Sequence, residues 1–192
     1  MKFEYNKEVI DENLQEVFIS TPLFSYKEAS KWYKNANNTA KEYSIKYNIE
    51  HFKVCGIIAA LSPQKSWPEN LSITELFLET KGEYSKHMPV MHNKALSIYN
   101  CTDVDCVESV LNGRKIVNFY NNIMNPADNN YVYLDVHMLQ LMTSDISIKS
   151  CTTKQYDFLK DIFIKFAEKQ GFYTSTLQAI LWCYFRNAKW GK

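Results

Sequence analysis

Residues 111–139 read LNGRKIVNFYNNIMNPADNNYVYLDVHML, and this stretch decides the fold class. The dipeptide Asn112-Gly113 readily takes positive φ values, so it predicts a tight turn. The spacing of apolar residues after that turn predicts a helix over about 114–123. The breakers in 124–130 then predict a loop.

The residue pattern of the stretch changes at Asp135. Tyr131 to Leu134 could pass for a short strand, but the continuation fits a helix entered at Asp135 better. Helical spacing also dominates the rest of the chain. The other predicted helices cover about 26–48, 50–61, 68–80, 93–99, a segment after Thr102, 152–170 and 175–188. Roughly nine helices with little or no sheet predict an all-α protein.

Local signals mark several helix boundaries and one close contact. The predicted markers are Ser25 as an N-cap, Ser62-Pro63 as a helix end, Pro68 in a first turn, Thr102 with Asp105 as capping residues, and Gly171 as a C-terminal glycine. In the apolar segment 50–61, the small residues Gly56, Ala59 and Ala60 would allow neighbouring helices to approach closely.

The composition excludes several classes of protein. The chain has 192 residues, 46% of them hydrophobic and 22% charged, which suits one domain or two small lobes sharing a cleft. The net charge of +1 is low for a protein that coats nucleic acid non-specifically. Only five glycines are present, which argues against a many-turned β-sandwich and a glycine-rich phosphate loop.

Cysteine usage and hydropathy predict a reducing, aqueous compartment, which is the cytoplasm. The five cysteines are odd in number and form no CxxC pair, so we expect no disulfide framework and no zinc or iron–sulfur site. No cofactor or metal is predicted. The N-terminus lacks a signal h-region, and the longest apolar stretch, near Val54 to Leu61, is too short to span a bilayer. We therefore expect no membrane partner.

Three segments contain residues that suit chemistry or binding. The first is the loop and helix start after Ala60, with Gln64, Lys65, Trp67 and Asn70. A polar loop at a helix junction can face a ligand, although the alternative is a plain loop with Trp67 packed into the core.

The second segment is the turn at Asn112-Gly113 followed by Arg114 and Lys115. Backbone N–H groups at the start of a helix attract phosphate. Basic residues at that end oppose the helix dipole, so their presence favours a functional role over an exposed basic turn.

The third segment places Asp135 and His137 among apolar residues. Asp135 is either an N-cap or a buried functional acid. His137 is either a core histidine with satisfied hydrogen bonds or a functional residue.

The order of these motifs resembles that of the helix-hairpin-helix DNA glycosylases of the endonuclease III type. The matching segments are Ala60-Leu61-Ser62-Pro63-Gln64 with Asn70, Asn93-Lys94-Ala95, Leu111-Asn112-Gly113-Arg114-Lys115-Ile116, and Leu134-Asp135-Val136-His137-Met138. The resemblance covers about residues 55–140. It implies a two-lobed helical fold of that superfamily, with a central lobe over about 50–123 and a second lobe formed by the N-terminal and C-terminal helices.

The hairpin is degenerate, because Val110, Leu111 and Asn112 stand where the family has its first glycine and proline. The chain is also similar to phage-encoded relatives, which would place it in the host cytoplasm.

The resemblance assigns roles to individual residues. Lys115 matches the lysine that forms a Schiff base with C1′ of the sugar, and lysine attacks only when neutral, which burial and cations such as Arg114 favour. Asp135 matches the aspartate that assists departure of the base. The 20 residues between them allow both to return to one cleft. Gln64 matches a residue that fills the gap left by a flipped base. The other candidates for binding DNA or a nucleotide are Lys65, Trp67, Asn70, Lys94, Asn112, Gly113, Arg114, Asn118 and His137.

Three functions are consistent with these features. The first is a DNA base-processing enzyme, an N-glycosylase with or without AP-lyase activity on a modified or damaged base. The second is a phage base-hypermodification transferase or nucleotide-processing enzyme of the same fold, in which Trp67, Asn70, Asn93 and Asn118 line a closed pocket. The third is a non-enzymatic module that binds nucleic acid or protein, with Asp135 as a cap.

The C-terminal segment LQAILWCYFRNAKW is amphipathic. We expect it to close against the N-terminal helices, the alternative being a basic DNA-facing end with Arg186, Lys189 and Lys192. The oligomeric state stays open.

Overall fold

The computed structural model describes residues 6–190, without the side chains of Ser25 and of residues 188–190. Over this range the chain forms eleven α-helices and no strand. They are α1 (Lys7–Ser20), α2 (Leu23–Ala29), α3 (Trp32–Tyr47), α4 (His51–Leu61), α5 (Trp67–Glu79), α6 (Pro89–Tyr99), α7 (Val104–Leu111), α8 (Arg114–Met124), α9 (Val136–Thr143), α10 (Thr153–Lys169) and α11 (Thr174–Trp190). The all-α prediction is confirmed.

The chain divides into two compact units. The central unit is the continuous segment 35–124, and the terminal unit combines residues 1–34 with residues 125–192. Each unit has its own set of packed helices, and each is described by itself below.

Helix α4 is the centre of the central unit. It contacts α5, α6, α7 and α8, and every residue from Val54 to Leu61 is buried. A Cβ atom on Gly56 would lie 2.6 Å from Cγ1 of Val107 and 2.9 Å from Cγ2 of Ile98. The close helix approach predicted at Gly56 is therefore present. The helix ends at Leu61, before Ser62-Pro63 as predicted.

The terminal unit buries a second core between α1, α9, α10 and α11. Its fully buried members include Leu14, Leu159, Phe163, Leu177 and Ile180. Helix α11 packs on α2, α9, α10 and α1, so the C-terminal segment closes against the N-terminal helices as expected. The side chain of Lys189 and all of Lys192, which belong to the alternative basic end, lie outside the described residues.

Several predicted helix boundaries were wrong. The segment 26–48 is two helices, because α2 ends at Ala29 and α3 begins at Trp32. Ser25 lies inside α2 rather than before it, since Pro22 occupies the N-cap position; its side chain is outside the described residues. Helix α1 was not predicted at all.

The start of α7 and the segment before α9 also differ from expectation. Asp103 is the N-cap of α7, because its carboxylate accepts a hydrogen bond from the Cys106 N–H at 2.8 Å; neither Thr102 nor Asp105 holds that position. Residues 131–134 form no strand. Helix α9 is entered at Asp135, as predicted.

One disulfide corrects the cysteine prediction. Cys101 and Cys106 are bonded, with their Cα atoms 5.6 Å apart, which is an ordinary separation for a disulfide. The bond joins the end of α6 to the first turn of α7, two sites that sequence spacing alone did not mark. Cys55, Cys151 and Cys183 are free. None of the helices described has the length and apolar character that crossing a bilayer requires.

Candidate functional site

Helices α7 and α8 form a hairpin with a turn of two residues. Asn112 has φ 42° and Gly113 has φ 151°, so the positive φ values predicted for this dipeptide are present. The Lys94 ammonium donates to the carbonyl of Leu111 at 2.8 Å, which satisfies an orphan carbonyl at the end of α7. This bond brings the predicted site residue Lys94 to the hairpin.

The first turn of α8 presents two basic side chains to solvent. Arg114 and Lys115 are exposed, and the helix begins at Arg114 directly after the glycine. Asn118, one turn further, is buried and donates to the Arg114 carbonyl at 2.6 Å. The central unit thus offers a cationic helix start, where N–H groups and side-chain charge both favour an anion. Lys115 itself is exposed, so the burial that the resemblance implied for this lysine is not present.

The junction between α4 and α5 holds the residues of the first motif. Gln64 is exposed and has φ 62°, a conformation that residues with a Cβ adopt at a cost. The N–H of Lys65 donates to the Ser62 carbonyl at 3.2 Å and closes the turn around Pro63 and Gln64. Backbone strain at an exposed polar side chain is a feature that functional sites share.

Helix α5 holds the other two residues of that motif, Trp67 and Asn70. Ser66 and Glu69 form a capping box at its start, which orients Trp67 as the first helical residue. Asn70 is 2% exposed and donates from Nδ2 to the Ile58 carbonyl at 3.1 Å. Its amide therefore ties α5 to α4.

Asp135 in the terminal unit is both an N-cap and a buried acid. Its Oδ1 accepts hydrogen bonds from the N–H groups of His137 and Met138, both at 3.0 Å. Its Oδ2 accepts from Nε1 of Trp182 at 2.9 Å. The residue is 8% exposed. Three donors hold this carboxylate in one orientation. The N-cap predicted at Asp135 is confirmed, and its functional role stays a prediction.

Aromatic side chains lie beside that carboxylate, and a guanidinium lies beside one of them. The His137 ring meets the Trp182 ring edge-on, with centroids 5.9 Å apart. The Arg186 guanidinium lies 5.0 Å from the Trp182 centroid on the same helix. Burial raises the pKa of Tyr133, and the negative charge of Asp135 raises it further.

Trp182 is a residue that sequence reasoning missed. It follows Asp135 by 47 residues, and only the folded chain brings the two side chains together. The available signal was weak: a half-buried tryptophan usually finds an acceptor for its N–H, but the sequence does not say which one.

The predicted site residues gather in three places. Lys94, Asn112, Gly113, Arg114, Lys115 and Asn118 meet at the hairpin, Gln64 to Asn70 lie at the junction of α4 and α5, and Asp135 with His137 starts α9. Lys115 belongs to the central unit and Asp135 to the terminal unit. Within residues 6–190, no group of three His, Cys, Asp or Glu side chains is arranged to hold a metal ion.

Comparison with known proteins gives one match. Neither a curated protein nor a solved structure matches the chain significantly. A family model matches residues 2–189, which is nearly the whole chain. The chain therefore belongs to the family of unknown function DUF7178.

Proposed function

We propose that the chain is a DNA base-processing enzyme, an N-glycosylase of the helix-hairpin-helix type that acts on a modified or damaged base. The observation that carries the proposal is the pair of helix starts that hold the two key residues. One exposes Arg114 and Lys115 after a two-residue turn, and the other fixes the carboxylate of Asp135 with three N–H donors.

The hairpin supplies the contact with the nucleic-acid backbone. The N–H groups at the start of α8 and the exposed Arg114 favour a phosphate. A single contact of this kind agrees with a net charge of +1, because it does not require a strongly basic surface. The strained Gln64 is the candidate for filling the space of an extruded base.

Asp135 supplies the electrostatic part of the reaction. When a glycosidic bond breaks, positive charge develops on the sugar, and a carboxylate held in place beforehand stabilises that charge without having to reorient. Lys115 is the candidate nucleophile for C1′. If its neutral amine attacks, the N–C1′ bond forms as the glycosidic bond breaks and the base leaves with the electron pair of that bond. Opening of the C1′–O4′ bond then gives the Schiff base, which permits cleavage of the strand.

Asp135 also favours a second candidate, a non-enzymatic binding module. Its carboxylate caps α9 with two hydrogen bonds, which is a complete structural role. In that case the hairpin would bind nucleic acid without chemistry.

Borohydride trapping tests the proposal. The protein is incubated with labelled oligonucleotides that contain an abasic site, uracil or hydroxymethyluracil, and with natural phage DNA. We expect a covalent adduct that Lys115→Ala abolishes and Lys154→Ala, at an exposed lysine on α10, preserves.

Release of free base from the same substrates is measured in parallel, because a glycosylase without lyase activity forms no adduct. Base release lost in Asp135→Asn supports the proposal. If no substrate gives either an adduct or released base, the proposal is contradicted. DNA binding that is still measured in that case would favour the binding module.

A further inference from the structure

A polar stripe runs along one face of α8 from the surface into the interior. Lys115, Asn118 and Asn122 are spaced by three and four residues, which places them on the same side of a helix. Lys115 is exposed, Asn118 is 6% exposed and Asn122 is 0% exposed. The exposed hairpin turn and a fully buried amide are thus on one face of one helix.

The amide of Asn122 has no hydrogen-bond partner among the described residues, either at Nδ2 or at Oδ1. Its neighbour Asn121 is different, since Nδ2 of Asn121 donates to Oε1 of Glu108 at 2.6 Å and to the Val117 carbonyl at 3.1 Å. A buried amide that lacks partners destabilises a fold, so such a group is rare unless it serves a function.

We propose that Asn122 recognises the base of the substrate through a pair of hydrogen bonds. The asparagine amide offers one donor beside one acceptor, which matches a nucleobase edge that carries an acceptor beside a donor. This inference rests on the proposed function, in which a base leaves its stack and enters the protein.

The dimensions of α8 agree with this assignment. Asn122 lies seven residues after Lys115, which corresponds to about 10 Å along the helix axis. That is comparable to the distance from the phosphate to the far edge of the base in one nucleotide. A nucleotide whose phosphate lies at the start of α8 therefore has the length to bring its base to Asn122.

The tests compare Asn122→Leu with the matched control Asn121→Leu. Leucine has nearly the shape of asparagine and no polar atoms. Because the Asn122 amide has no partner, Asn122→Leu should raise the melting temperature by about 2–4 °C or more, whereas Asn121→Leu breaks two hydrogen bonds and should lower it by a similar amount.

Binding is measured calorimetrically with the deoxynucleoside monophosphates dAMP, dCMP, dGMP, dTMP and dUMP. We expect at least one to bind the wild type and to lose about tenfold or more in affinity in Asn122→Leu. Inorganic phosphate should compete with that nucleotide but should bind both proteins equally. If dUMP or dTMP is bound, methylation at N3 of its base should weaken binding to a similar extent, because the edge of the base then lacks its hydrogen-bond donor.

A melting temperature that falls in Asn122→Leu, or nucleotide affinity that does not change, would overturn the inference. So would the absence of binding by every monophosphate. A different result would contradict the proposed function alone. If nucleotide binding depends on Asn122 but no base is released, the glycosylase activity is absent and the recognition role of Asn122 remains. Base release that Asn122→Leu does not alter leaves the glycosylase intact and removes the recognition role.

Discussion

Asp135 combines a structural and a chemical capacity in one side chain. The bonds from His137 and Met138 satisfy two N–H groups at the start of α9, and the bond from Trp182 uses the second oxygen. Substitutions that keep or remove the capping oxygen can therefore separate stability from chemistry.

We predict that Asp135→Asn and Asp135→Ala differ in stability but not in activity. Asparagine keeps an oxygen for the two backbone donors but turns its NH2 group toward Nε1 of Trp182, so it should lower the free energy of unfolding by about 1–2 kcal/mol. Alanine leaves all three donors unpaired and should cost about 2–3 kcal/mol. Urea denaturation measures both values.

Both variants should lose base release if the carboxylate charge acts on the sugar. Base release that survives in Asp135→Asn would show that the carboxylate charge is not needed and that the residue serves only as a cap.

Single residues also show where sequence reasoning succeeded. The positive φ of Asn112 and the cap at Asp135 were predictable, because each depends on a few neighbouring residues. Trp182 and Asn122 were not, because a hydrogen bond across 47 residues and the lack of a partner are properties of the folded chain.

Helix α4 illustrates how a whole element depends on one small side chain. Gly56 lets α6 and α7 approach so closely that an added methyl group would meet Val107 and Ile98. Both neighbours are fully buried, so neither can move aside into solvent.

We predict that Gly56→Ala destabilises the protein although alanine is the better helix former. Overpacking costs about 1–3 kcal/mol and the gain in helix propensity offsets up to about 1 kcal/mol, so the net loss should be about 1–2 kcal/mol. Chemical denaturation of the single and double variants measures it.

In the double variant Gly56→Ala/Val107→Ala, the loss should be smaller than the sum of the two single losses, because alanine at 107 removes the closest atom. Strict additivity would mean that the clash is not the cause.

Elements were predictable where their ends carry strong signals. Helix α4 stops at a proline and α8 starts after a glycine, and both boundaries were predicted within a residue. The break between α2 and α3 falls at Ser30-Lys31, which contains neither breaker, so continuous helical spacing concealed it. The disulfide between α6 and α7 was missed although its cysteines are only five residues apart, because their odd total number and the absence of a CxxC pair argued against any bond.

At the scale of the whole molecule, stability depends on the protonation of side chains in the central unit. The central unit contains two histidines whose environments disfavour the charged form. Burial lowers the pKa of His51 and nearby Lys41 lowers it further, while a bond with Asn37 opposes the change. Burial lowers the pKa of His87 and the charge of Lys65 lowers it further, while backbone hydrogen bonds with Pro63 and Leu61 oppose the change.

We predict that stability falls as the solution becomes mildly acidic. A histidine whose pKa is lower in the folded state contributes fully above its ordinary pKa of 6.5, and this contribution is lost as pH falls through the folded value. The melting temperature should therefore be lower at about pH 5.5 than at about pH 7.5.

His51→Gln should reduce that difference, because it removes one of these two histidines with a lowered pKa. The exposed carboxylates with a lowered pKa, such as Glu69 and Asp103, titrate at more acidic pH and should not contribute in this window. An unchanged pH dependence in His51→Gln would contradict the assignment.

The division of the terminal unit into two segments has a consequence during synthesis. Ile10 and Leu14 on α1 belong to a core whose other members, such as Leu177 and Ile180, leave the ribosome about 170 residues later. At about 5–20 residues per second, α1 waits roughly 8–34 s until these last partners emerge. The continuous segment 35–124 meets no such delay, because its helices emerge in sequence. The nascent chain therefore assembles from its middle outwards, and its first helix is the part that a chaperone would need to shield longest.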